Sequence, residues 1–179
     1  MCLILSCVKV RGNKIPAGKG LIVKGSLTGI NPFQQQPLES ILNDYINLFN
    51  ESFERVMHSP IRETDFIDIF YQNFFNNSEK VRSKFKNTNM DQQKKILRYS
   101  LMDMVDFYTY RNETDYLKKI ATLHSQAKHN ISPALYELWL EAMMGSLRTC
   151  DPLFNEDVEM AWRVVLAPGI AYMKFKYAR

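Results

Sequence analysis

An all-α fold is predicted by three observations on this 179-residue chain. From Leu38 onward apolar residues recur at three- and four-residue spacing, the signature of one buried helical face. Glycine nearly vanishes over the same span. No alternating apolar and polar pattern of a strand occurs after residue 37.

Residues 1–37 read differently. They hold five of the seven glycines, Gly12, Gly18, Gly20, Gly25 and Gly29, with Pro16, Pro32 and Pro37 and short apolar runs such as Leu21 to Val23. This suits an irregular extension or a weak hairpin ahead of a helical domain over 38–179. In that domain Ile41, Leu42, Tyr45, Ile46, Phe49 and Phe53 describe a first helix, stopped near His58-Ser59-Pro60. Phe66, Ile69, Phe70, Phe74 and Phe75 mark the buried side of a second, with Tyr71 among them. Ser78 to Lys86 is short and charged, a corner ending near Phe85.

Asn89, with Gln92 three residues on, has the spacing of a capping box and opens a long helix. Gln93, Leu97, Leu101, Met104, Val105 and Tyr108 share its inner side. Lys94, Lys95, Arg98, Asp103 and Asp106 are expected on its outer side. After a break at Arg111-Asn112, Tyr116, Leu117, Ile120, Leu123 and His124 share a face, so His124 points inward while Lys118 and Lys119 point away. Ser132-Pro133 reads as an N-cap followed by proline at the first helical position, leading into Leu135, Tyr136, Trp139, Leu140 and Met143. Asp151-Pro152 ends that helix. The last begins near Asn155, buries Val158, Trp162, Val165, Leu166, Ile170 and Met173, and should kink at Pro168-Gly169. Six or so helices with short connections fit a compact bundle or a globin-like packing.

Composition narrows the function classes. A net charge of +4, with lysines spread along helical faces, gives no nucleic-acid footprint. Cys2, Cys7 and Cys150 form no CxxC pair, which argues against a disulfide framework or zinc site and fits a reducing compartment. No apolar run approaches the roughly 20 residues of a membrane span. The apolar run Met1 to Val8 lacks the basic residue and cleavage site of a signal peptide, so a cytoplasmic location is expected.

Four segments and the closing helix, taken together, resemble the globin family, in particular bacterial single-domain globins and the haem domain of flavohaemoglobins. FYQNFF at 70–75 is similar to the second-helix motif whose tyrosine faces the distal side of the haem, here Tyr71. VRSKF at 81–85 resembles the corner whose phenylalanine stacks on the porphyrin, here Phe85, fourteen positions later. TNMDQQKKIL at 88–97 resembles the start of the distal helix, with Gln93 facing the ligand and Leu97 one turn on. LHSQAKHNISPALYELWL at 123–140 resembles the proximal segment, with His124 as iron ligand and Tyr136 beside it. AWRVVLAPGIAYM from Ala161 is similar to the closing helix. The resemblance spans about Leu38 to Tyr177.

It implies a three-over-three helical sandwich binding haem b through His124, with Phe85, Leu97 and Tyr136 completing the pocket. Tyr71 and Gln93 would be the donors toward a bound dioxygen or other diatomic gas. Storage, scavenging, or nitric oxide detoxification served by a separate reductase would be the role. No flavin or nicotinamide domain is expected, for want of a GxGxxG after a strand, and so no self-sufficient enzyme. A haem-based sensor and a haem-free ligand- or partner-binding domain are the other classes, in a monomer or homodimer. Two departures from the flavohaemoglobin pattern stand out. Two extra residues separate His124 from Tyr136, and the place of the acid that completes a histidine–tyrosine–glutamate relay falls near Tyr177, with no acid.

Taken singly, each residue has a plainer reading. Tyr71 could be a core tyrosine bonded to backbone, Phe85 a corner plug, and Gln93 a solvated residue whose place Gln92 takes. His129 is the rival iron ligand, and His58 a surface residue or helix C-cap.

Overall fold

The computed structural model describes residues 32–58 and 66–179, with side chains from Asp44 onward. The expected weak hairpin falls outside these residues. Seven helices are present among them, and no strand. They are α1 (Pro32–Met57), α2 (Phe66–Asn76), α3 (Glu79–Lys84), α4 (Met90–Tyr110), α5 (Asp115–His124), α6 (Leu135–Cys150) and α7 (Glu156–Lys176). No helix among the described residues is long and apolar enough to cross a membrane.

Where the helix ends follow local chemistry, sequence and structure agree. Asn89 and Asn155 accept hydrogen bonds from the main-chain N–H of Gln92 (3.1 Å) and Val158 (2.9 Å), satisfying donors the helix cannot. Arg111 ends α4 in the left-handed region at φ 54°. Three boundaries differ. Helix α1 reaches back to Pro32, so its start lies ahead of the expected boundary at Leu38. The charged corner contains a one-and-a-half-turn helix, α3, whose last residue is followed by the turn holding Phe85. Ser132 does not cap α6. Its carbonyl accepts from the N–H of Leu135 (2.9 Å), making a tight turn that delays the helix to Leu135.

α1 packs along α7, α2 along α6, and α4 along α7, with α5 bridging α4 and α7. The centre is Trp162, fully buried, with Phe49 at 4.4 Å between ring centroids and Phe66 at 5.9 Å. Helix α7 runs through Pro168 without interruption. Its neighbour Gly169 lets α4 come close, because a Cβ there would lie 2.7 Å from Met104 Cε and 2.8 Å from its Cγ.

A buried polar knot ties the two ends of the chain order together. Trp162 Nε1 donates to Ser52 Oγ (3.0 Å), and Ser52 donates to Asp151 Oδ2 (2.6 Å). Arg55 grips both Asp151 oxygens at 2.8 and 2.9 Å, and the Leu153 N–H donates to Asp151 Oδ1. Burial alone would raise the Asp151 pKa, but Arg55, Ser52 and Leu153 outweigh it and hold the carboxyl below its usual range. Asp151→Ala strands the Arg55 charge and the Ser52 hydroxyl. Equilibrium urea unfolding should show a loss of about 3 kcal/mol for this variant, and less for Asp151→Asn, which keeps the shape.

Candidate functional site

Between α2, α4, α5, α6 and α7 lies a largely apolar cavity. Its empty space is about 1130 Å³, counting the part open to solvent.

On one wall α5 delivers His124. Its Nδ1 lies 3.1 Å from the Tyr136 hydroxyl, and the two rings sit 6.3 Å apart. With Nδ1 engaged, the other nitrogen, Nε2, is left for the cavity, a tautomer inferred from this contact. Burial lowers the His124 pKa to about 4, with the neighbouring His129 adding to the effect. The ring is therefore neutral at pH 7.

The lengthened turn behind His124 is built rather than loose. Ile131 N–H donates to the His124 carbonyl (3.0 Å) and His129 N–H to the Leu123 carbonyl (3.0 Å), while Asn130 takes φ 50°. The end of α7 latches it: the Gln126 N–H donates to the Tyr177 carbonyl (2.8 Å), and the Tyr177 hydroxyl donates to Asn130 Oδ1 (2.6 Å). Lys84 braces the turn from the other side, donating to the carbonyls of His129 (3.0 Å) and Asn130 (3.4 Å). Tyr177 thus stands where an acid was sought, and it serves the turn. Among the described residues no carboxylate bonds Tyr136.

On another part of the wall α2, the turn after α3, and α4 bring Tyr71, Phe85, Gln93 and Leu97 together. Gln93 is buried and Gln92 exposed, so the register chosen from the helical face holds. Tyr71 is buried in an aromatic cluster, 5.9 Å from Phe85 and 5.0 Å from Phe70. Its hydroxyl donates to the Gln93 main-chain carbonyl at 3.4 Å, the outer limit for such a bond. Burial pushes its pKa up, so it remains a proton-bearing donor. Gln93 Oε1 is buried without a partner.

The remaining two histidines stand away from the cavity lining. His58 is exposed beside Glu54, 2.9 Å away. His129 lies part-buried in the turn and does not line the cavity.

Several wall residues were missed. Asp103, expected on the outer side of α4, is part-buried on the cavity wall and accepts from Thr114 Oγ1 at 2.6 Å. Ser100 lies 3.3 Å from the Tyr116 hydroxyl, and both line the cavity. The spacing 93, 97, 100, 104 puts Ser100 on the inner stripe, a signal available in the sequence. Lys84 gave no such signal, since its partners are 45 and 46 residues away.

A single cavity histidine is not a bare metal site. Among the described residues no three His, Cys, Asp or Glu side chains gather as ligands. What the wall offers is one imidazole facing a largely apolar space.

The comparison with solved structures agrees. The chain is 31% identical to a Pseudomonas aeruginosa protein whose crystal structure is described as structurally highly homologous to a human hemoglobin. The alignment covers 75% of this chain and 99% of the other, at a TM-score of 0.67. The chain belongs to the globin family. No protein-family model and no curated protein sequence matches it.

The lowered His124 pKa has a consequence for stability. Between pH 6.5 and about 4 the unfolded chain binds a proton that the folded chain refuses, so stability present above pH 6.5 is lost as pH falls through this window. The shift corresponds to at most about 3 kcal/mol, reduced to the extent that water in the cavity solvates the ring. Urea unfolding of the haem-free protein from pH 7 to 4 should show this slope, and His124→Gln should flatten it.

Proposed function

We propose that this globin holds haem b in the cavity, with His124 Nε2 as the iron ligand, and that it reversibly binds dioxygen or another diatomic gas on the Tyr71 and Gln93 side. The observation that carries the proposal is the His124–Tyr136 contact, which turns Nε2 toward the cavity from a ring kept neutral by burial. Neutral imidazole is the ligating form, so no proton need leave at pH 7.

The residues present fit such a group. The wall is mostly apolar, and Phe85 and Leu97 would exclude water from its face. Bound haem would supply the iron that takes the gas, chemistry no side chain here performs. The chain's own part on that side is hydrogen bonding. Tyr71 holds its proton by a long, weak bond to the Gln93 carbonyl, so turning it toward a gas sacrifices little. The Gln93 side-chain amide, whose oxygen has no partner, is equally able to reorient.

Binding is favoured over peroxidase-like chemistry by what Tyr136 lacks. With no carboxylate on its hydroxyl, it cannot draw strongly on the Nδ1 proton, and the imidazole stays a modest electron donor. Turnover of nitric oxide would call on a separate reductase.

Reconstitution with haem should give a Soret band and a ferrous form that takes up oxygen or carbon monoxide. In Tyr71→Phe/Gln93→Leu, oxygen should dissociate about tenfold faster, the effect of losing one good hydrogen bond in a dry site. Carbon monoxide, a poorer acceptor, should change less. Absence of a Soret band in the reconstituted wild type sinks the haem reading; oxygen release unchanged in the double variant removes the distal assignment.

A further inference from the structure

Helix α4 is apolar on two faces. Gln93, Leu97, Leu101 and Met104 are buried on its inner side. On the side turned away from them Tyr99 and Met102 are each 57% exposed and Tyr110 is 72% exposed. Helical spacing lays Lys95, Tyr99, Met102, Asp106 and Tyr110 along one outer stripe. Single exposed apolar residues are ordinary, whereas tyrosine and methionine gathered on one face and bordered by charges have the composition of an interface core. The other large apolar side chains exposed among the described residues, Leu153, Met160 and Phe175, form no such stripe, and the Arg179 guanidinium lies 3.9 Å from the centre of the Phe175 ring.

The stripe is complementary to itself. The point midway between Tyr99 and Met102 is also midway between Lys95 and Asp106. Two copies of the helix laid antiparallel about that point bring Tyr99 of each against Met102 of the other, and Lys95 of each against Asp106 of the other. The central contact is then thioether on aromatic ring, a favourable one, with an ion pair on either side of it. Within one chain these charges cannot meet. Lys95 and Asp106 stand about 16 Å apart along the helix, and neither is in an ion pair among the described residues. Parallel pairing would instead set Lys95 against Lys95 and Asp106 against Asp106, so the charges choose the antiparallel register.

We propose that the outer face of α4 is the contact surface of an antiparallel homodimer, joined through Tyr99 and Met102 and registered by Lys95 and Asp106. One helix face about 30 Å long offers less than the roughly 800 Å² a side of a standard interface. The dimer is therefore weak, with a Kd of about 10 to 100 µM, and forms as concentration rises. It does not rest on the haem reading, because no residue of the stripe lines the cavity.

Sedimentation of the full chain from about 5 to about 500 µM should show the mass rising from 21.0 kDa toward twice that value. Met102→Asp changes an exposed position, leaves the core intact and should hold the chain monomeric throughout. Lys95→Glu should weaken association about tenfold, because each of the two ion pairs becomes a like-charge contact. Asp106→Lys should do the same. Lys95→Glu/Asp106→Lys should restore wild-type association, since the exchange rebuilds both pairs with their signs reversed. Circular dichroism should match wild type in every variant.

A wild-type chain still monomeric at the highest concentration overturns the proposal and gives the stripe to a different occupant. A dimer that survives Met102→Asp overturns it as well, placing the contact on another surface. A double exchange no better than either single variant overturns the antiparallel register.

Discussion

A lone histidine can anchor a planar group only if its ring is prevented from turning, and here that constraint rests on the hydrogen bond between His124 Nδ1 and the Tyr136 hydroxyl. The bond spans two helices joined by a ten-residue turn, so its geometry is only as good as the turn's. Local hydrogen bonds shape that segment, and two long-range holds secure it: Tyr177 from the end of α7 and Lys84 from the end of α3. Each hold comes from an element that also meets the cavity region. The wall bearing His124 and the wall bearing Phe85 are thereby clipped to one another at the Lys84 corner.

The cavity also has to resist collapse. Helices that enclose a large apolar space need their separation fixed elsewhere, because protein interiors otherwise close on voids. The knot of Ser52, Arg55, Asp151 and Trp162 does this on one side by fixing α1 against the α6–α7 corner. The Gly169–Met104 contact sets the closest approach of α4 to α7, and Asp103 with Thr114 and Ser100 with Tyr116 set α4 against α5. The polar residues on the wall therefore help to hold the frame.

Much of this was legible in the sequence where the signal is local. Asn89 and Asn155 announce helix starts because a cap acts within three residues. The inner stripe of α4 distinguished Gln93 from Gln92, since a one-residue slip turns a side chain by about 100°. The order of Tyr71, Phe85, Gln93 and His124 carried the globin resemblance that the structural comparison supports at the level of family. What stayed hidden depends on distant partners or on turns. Ser132-Pro133 resembles a helix start in sequence, yet the chain first makes a tight turn there. Asp103 reads as a surface acid until Thr114 is brought to it, and Lys84 as a solvated lysine until the turn at 129–130 arrives. The two extra residues left the His124–Tyr136 contact open in the sequence; the contact is made, with Asn130 in the left-handed region and the Tyr177 latch shaping the longer turn.

The central claim is that His124, oriented by Tyr136, is the residue through which the cavity holds iron. The most direct measurement is the ferrous absorption spectrum of haem-loaded His124→Gly, recorded with and without free imidazole. The account predicts loss of the five-coordinate histidine-ligated spectrum in the variant and its return when imidazole fills the vacated space. A variant spectrum identical to wild type without imidazole would contradict it, placing the ligand elsewhere in the chain.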